Sequence, residues 1–271
     1  MSTSPPTSPP TSSPRNPLLA APLAAVRFLT RIPVPSTTTS SEQASRDLRA
    51  AVPWFPLVGA LIGAITAAAI YAAGNVWSPP VAVLLALSVE ALLTGAFHED
   101  AVADYCDAFG GGWTRDDILR ILKDSRHGTY GVLGLTLAVA LRAALLLSLE
   151  SSPQIQALAL IASATWGRFV IVVLMAIVPP VTDRDSLAKD VAHQMRPRDL
   201  AWASLAALPG LGLWFLLNPL GGLLTLLLTA AFLLWYRPHL LRTIQGVTGD
   251  CLGMSCYAGQ LILLLCAAAG R

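Results

Sequence analysis

Residues 53–74 read PWFPLVGALIGAITAAAIYAAG, twenty-two positions without one charged side chain. Coiled as a helix at about 1.5 Å per residue, such a run reaches about 33 Å, enough to cross a hydrocarbon core of about 30 Å. It has no polar face to turn toward water, so lipid or other apolar helices must surround it. Further apolar runs follow at 80–97, 131–149, 155–178, 200–217, 219–236 and 256–270. The last is the shortest, because Gly259 and Gln260 interrupt it, and a six-span reading with an earlier start for this helix stands beside the seven-span one.

The whole chain agrees with its longest runs. Its 271 residues are 54% hydrophobic and 13% charged, against about 25% charged in an ordinary soluble domain. The composition predicts an all-α, polytopic integral membrane protein of about seven transmembrane helices with polar loops on the cytoplasmic side, and it excludes a soluble globular enzyme. A formal charge of +2 gives no reason to expect a nucleic-acid partner. The lipid bilayer is the expected partner, and the sequence carries no statement of oligomeric state.

Three regions are expected. Residues 1–17 are almost wholly Pro, Ser and Thr and predict a disordered tail. Residues 18–52 predict an interfacial segment, in which Pro22 and Arg27 argue against a signal peptide. Residues 53–271 form the multi-pass catalytic domain. Four cysteines, at 106, 251, 256 and 266, lack metal-site spacing and are read as free thiols.

Basic residues decide the orientation. Of eighteen Lys and Arg, fifteen fall in the N-terminal region or in loops 98–130, 179–199 and 237–255, which seven spans put on one side. The opposite loops, at 75–79, 150–154 and 218, hold none. The positive-inside rule makes the basic side cytoplasmic, so the long polar loops are expected to face the cytoplasm.

Seven of sixteen acidic residues lie between Glu99 and Asp124. Asp100, Asp104 and Asp107 recur at helical spacing, which projects three carboxylates from one face. Small or apolar residues between them, Ala101, Val102, Ala103, Ala108 and Phe109, predict that the other faces are buried. Three crowded carboxylates favour a hard dication, Mg²⁺ or Mn²⁺, over zinc. Gly110–Gly112 breaks the helix, and Thr114 is expected to cap a new one with Asp116 and Asp117 in its first turn.

Lys123 and Arg126 stand one turn apart before Gly128-Thr129-Tyr130-Gly131, a grouping suited to phosphate oxygens through charge, the Thr129 hydroxyl and backbone N–H groups. Arg142 and Arg168 lie within apolar runs and need polar surroundings there, with Glu90 a candidate partner for either. Asp250, among glycines in Gly246–Gly253, adds a carboxylate at the cytoplasmic edge of the final span.

With these pieces in view the chain resembles the cobalamin synthase family. The resemblance rests on Phe28–Pro35, Trp54–Gly59, His98–Asp107, Lys123–Gly131 and Thr248–Gly253. It implies an adenosylcobinamide-GDP ribazoletransferase of the late cobalamin pathway, which joins adenosylcobinamide-GDP to α-ribazole or its 5′-phosphate with Mg²⁺ and releases GMP. On that basis Asp100, Asp104 and Asp107, with Asp250, are expected to hold the metal, and Lys123, Arg126 and Thr129 the donor phosphates. A carboxylate or His98 is expected to accept the proton of the attacking hydroxyl. The chain departs from the family pattern in Ala101 and Ala108, where glycine is common, and in Tyr257 and Gln260, where acidic residues are common. Two rival classes lack their own signatures here. A CDP-alcohol phosphatidyltransferase would join its aspartates to an Ala-Arg pair and a later Gly-x3-Asp-x3-Asp, and an ion-coupled transporter would place its acids near mid-bilayer.

Overall fold

The computed structural model describes residues 17–34, 41–181 and 195–269. The expected tail, residues 1–16, and the middle of loop 179–199 lie outside the described residues. Those described are helical with no strand among them, apart from one isolated bridge between Pro180 and Val247.

Two helices precede the first span, α1 (Pro17–Leu29) and α2 (Ser41–Ala51), and a 3-10 turn over Val52–Trp54 leads into α3 (Phe55–Gly74). The interfacial segment does not stand apart from the bundle: Ala25, Leu29, Ala51 and Val52 share one buried cluster with Phe55 and Val58. Phe28 stacks on Phe55 with centroids 5.6 Å apart.

Next come α4 (Pro79–Thr94), α5 (Phe97–Gly111), the short α6 (Arg115–Ile121), α7 (Thr129–Leu147) and α8 (Pro153–Ile177). The chain ends with α9 (Pro197–Leu217), α10 (Pro219–Thr243) and α11 (Gly249–Ala268). Proline opens α4, α8, α9 and α10, where its missing N–H would have had no partner. Pro209 and Pro238 sit inside α9 and α10, as membrane helices tolerate.

Six helical stretches are long and apolar enough to cross a membrane alone, and α4 with α5 makes a seventh only if the pair counts as one broken span. Here the structure corrects the expected span at 80–97. Helix α4 stops at Thr94 after 16 residues, about 24 Å by helical rise, and α5 leaves it at 89°. The apolar run Leu92–Phe97 disguised the break. The final helix begins at Gly249, seven residues before the expected 256, and Gly259 and Gln260 are buried inside it.

Helix α8 is the central post, with fifteen buried residues, and α3, α9 and α11 pack around it. Its seam with α3 is built on Gly59 and Gly63: a methyl group at either would run into the α8 backbone at Ile161, Ala164 or Thr165. Small residues of this kind let membrane helices approach closely. Exposed leucines on α7 and α10, such as Leu137, Leu141, Leu223 and Leu227, form the lipid-facing surface.

The loops fall into two groups at opposite ends. Val181 and Val247 join loops 179–199 and 237–255 through backbone hydrogen bonds of 3.1 and 2.9 Å. Arg115 Nε donates to the Ile244 carbonyl at 3.3 Å, tying in loop 98–130. At the other end Asn75, Trp77, Glu150 and Gln154 rim one cavity of about 580 Å³. The chain is an integral membrane protein, and the described parts of its three basic loops share one end.

Candidate active site

Helix α5 carries the acidic face, and an elbow aims it. Gly95 and Ala96 both adopt left-handed backbone, with φ of 73° and 56°. Gly95 ends α4, and a side chain there would also strike the Arg31 guanidinium. Beyond the elbow Ala101, Val102, Ala103 and Ala108 are buried, as their interleaving predicted. Gly253 of α11 faces Ala101, and the methyl of Ala101 fills the room that Gly253 leaves.

The three aspartates do share a face but not an environment. Asp100 has 64% of its side chain exposed and Asp104 18%, whereas Asp107 is buried. Asp107 has other work. Its Oδ2 accepts from Gly128 N at 2.6 Å and its Oδ1 from Gly131 N at 2.7 Å, so it caps α7 from a neighbouring helix. Side chains at residues 128 or 131 would collide with its carboxylate. The two glycines around Thr129-Tyr130 therefore serve this clamp.

The clamp brings up a residue that sequence reasoning passed over. His127, just before Gly128, places Nδ1 3.6 Å from Asp104 Oδ1 and Nε2 3.9 Å from Asp100 Oδ1. One donor atom from each of Asp100, Asp104 and His127 lies within 4.8 Å of the others, close enough to grip one cation. Its signal in the sequence was faint: a lone histidine beside Arg126, in a stretch read for phosphate.

Charge crowding is legible in Asp104. Partial burial, then Asp100 and Asp250, with Asp107 weaker, push its carboxyl up to about 6, against the opposing pull of His127. Asp250, in the first turn of α11, is thus near enough to act on the cluster. A dication would relieve this repulsion, and carboxylate oxygens are the donors that Mg²⁺ prefers.

The cationic residues are arranged less simply. Arg126 is committed to Asp124 through a fork, Nε to Oδ1 at 2.9 Å and Nη2 to Oδ2 at 2.7 Å. That pairing draws the exposed Asp124 carboxyl down to about 2. Lys123 is exposed, as is Thr129 at the first position of α7. Thr114 caps α6 as expected, its hydroxyl accepting from Asp117 N at 3.2 Å.

His98 is not beside the acidic face. It is buried on the opposite side of α5, with Nδ1 3.5 Å from Arg168 Nη2. The partner of Arg142 is Glu90, at 2.8 and 3.0 Å. Tyr257 lies under Arg142, with the guanidinium carbon 5.8 Å from its ring centroid. Gln260 is buried against Gly167 and Cys256. All four cysteines are free.

Known proteins of similar sequence agree on one identity. An adenosylcobinamide-GDP ribazoletransferase of Ralstonia nicotianae is 37% identical over 246 residues, covering 89% of this chain and 91% of that protein. Proteins of the same name from Vibrio cholerae and Shewanella frigidimarina are 38% and 39% identical, each across about nine-tenths of both chains. No solved structure is significantly similar. The sequence profile of cobalamin-5-phosphate synthase matches residues 21–268, nearly the whole membrane bundle with its acidic helix, and the chain belongs to that family.

Proposed function

We propose that the protein is an adenosylcobinamide-GDP ribazoletransferase acting at the cytoplasmic face of a bacterial inner membrane. The observation that carries the reading is the meeting of Asp100, Asp104 and His127 at the basic end of a bundle that belongs to this family. In the reaction a hydroxyl oxygen of α-ribazole or its 5′-phosphate forms a bond to the phosphorus that bears cobinamide. The bond from that phosphorus to the bridging oxygen breaks, and GMP leaves with the oxygen. The proton of the hydroxyl needs an acceptor.

The residues divide this work by chemistry. Asp100 and Asp104 offer hard oxygen donors and would hold Mg²⁺, with Asp250 adding negative charge nearby. The cation supplies neutralisation of the charge that builds on the diphosphate. An imidazole is a poor Mg²⁺ ligand, so His127 is left to take the proton. Asp107 holds the start of α7, and through it His127, in register with α5. Lys123 draws the donor's phosphates to the mouth of the site, and Arg126 joins when Asp124 releases it. His98, buried beside Arg168 on the opposite side of α5, is given no part in this reading.

The test is direct. Membranes containing the protein are given adenosylcobinamide-GDP, α-ribazole or its 5′-phosphate, and Mg²⁺, and GMP and the corrinoid product are followed by chromatography. Stoichiometric formation of both is expected, and hydrolysis of the donor without coupling to the acceptor would overturn the reading. His127→Ala should lower kcat by about 100-fold in the same assay.

A further inference from the structure

Arg142 is buried in the middle of α7 and reaches both arms of the elbow. Its Nη2 meets both oxygens of Glu90, one turn before the bend, and its Nη1 lies 4.0 Å from Glu99 Oε1, in the first turn after it. An ordinary ion pair would join two helices. This guanidinium touches α4, α5 and, through the Tyr257 ring, α11.

The elbow does not support itself. Ala96 occupies left-handed backbone, which an L residue with a side chain adopts only when its surroundings insist. Arg31 packs against the bend at Gly95, and Arg142 hydrogen-bonds Glu90 and stands at ion-pair distance, 4.0 Å, from Glu99. The two grips are unequal. Glu90 is saturated, taking Arg142 and the Thr66 hydroxyl at 2.9 Å. Glu99 keeps one buried oxygen with no hydrogen-bond partner among the described residues. Arg142 thus reaches the start of α5 through one link, to Glu99, and the residue after Glu99 is Asp100; farther along, α5 is tied to α7 by Asp107.

We propose that Arg142 is a positioning residue for phosphoryl transfer: by gripping Glu90 and Glu99 together it fixes the angle of α5, and so places Asp100 and Asp104 against His127. A lysine would not serve, because a point charge lacks the planar fork that addresses two carboxylates at once. The inference rests on the proposed transferase reaction, and its test includes a measurement independent of activity.

The variants are Arg142→Lys, Glu99→Gln and the double variant Glu90→Gln/Arg142→Met, made in the full chain in lipid nanodiscs. The double variant removes the Glu90–Arg142 pair together, so that Glu99 is the carboxylate left without its cation. Glu99→Gln leaves the Glu90 pair intact, so it reads the α5 link even if the double variant folds poorly. Spin labels at two exposed sites, Trp113 just beyond α5 and Trp202 in α9, report the position of α5 by pulsed electron resonance after the four cysteines are replaced with alanine.

All three variants should lower kcat by about 10- to 100-fold, on the scale of a misplacement near 1 Å. KM for the GDP-activated donor should stay within about threefold, and the distance distribution between the labels should shift or broaden. Parental kcat and distances in Glu99→Gln and the double variant would overturn the proposal and leave Arg142 as a folding ion pair. If the parent protein itself shows no transfer, the proposed reaction fails. The distances then still decide whether Arg142 sets the elbow.

Discussion

Asp104 and Asp107 are neighbours on one helix face, yet they are held by opposite means, and their substitutions should be told apart. Asp107 accepts two backbone N–H groups, so Asp107→Asn turns an amide N–H₂ toward a donor and should cost about 1–3 kcal/mol of stability. Its half-saturating Mg²⁺ should change little. Asp100→Asn and Asp104→Asn should fold normally and lose at least ~100-fold in turnover, the scale of removing one electrostatic stabiliser of a transition state. Asp116→Asn and Asp117→Asn, whose side chains reach solvent from α6, should keep nearly full activity. A Mg²⁺ titration of all five with a thermal melt of each checks the division; a thermally stable Asp107→Asn protein with weakened Mg²⁺ response would return that residue to the metal.

The raised carboxyl of Asp104 also sets a dependence on pH. Between the ordinary carboxyl value, 3.8, and about 6 the folded, metal-free protein holds a proton that the unfolded chain has lost. This group's contribution is therefore fully present below the unfolded value and is lost as pH rises through about 6. Bound Mg²⁺ favours the ionised form and removes the effect. Melting the protein with and without Mg²⁺ from pH 4.5 to 7.5 should show the Mg²⁺-induced stabilisation growing with pH. The half-saturating Mg²⁺ concentration should rise as pH falls below about 6, and a pH-independent increment would refute the crowding.

Among the elements, the elbow was the least legible. Hydropathy located α3, α7, α8, α9 and α10 to within a few residues on at least one side, because length and apolar content decide a span. It ran through the break after Thr94, since Phe97 is as apolar as Leu92 and the turn is marked only by Gly95. Helical spacing exposed the acidic face, because that relation is local. The Asp107 clamp and the approach of His127 were not legible, for each depends on how α7 docks on α5. Glu90 was readable as a partner for a buried arginine, whereas the link from Glu99 to Arg142 spans two helices and a bend. Gly95→Ala should cost about 1–2 kcal/mol, from its left-handed backbone and from Arg31. Gly111→Ala, at the end of α5 with nothing nearer than 4.0 Å, should be neutral or mildly stabilising. Thermal melts of the two variants compare them directly, and equal costs would mean that the elbow relaxes around a methyl group.

For the whole molecule, the two groups of loops predict sidedness. Single cysteines at Trp113 and Trp202 should react with an impermeant maleimide only in inside-out vesicles, and cysteines at Tyr71 and Trp77, exposed at the other end, only in right-side-out cells. Labelling of Trp113 and Tyr71 positions from the same side would dismantle the topology. The seam between α3 and α8 bears on how such a molecule is made. Gly59 and Gly63 are emitted from the ribosome about a hundred residues before the α8 surface they are cut to fit. At a synthesis rate of about 5–20 residues per second, α3 must wait roughly 5–20 s in the bilayer with its glycine notch open. The first span to enter the membrane is thus a vacant berth for more than a third of the chain's synthesis, and the quality of assembly hangs on what keeps other nascent helices out of it until α8 arrives.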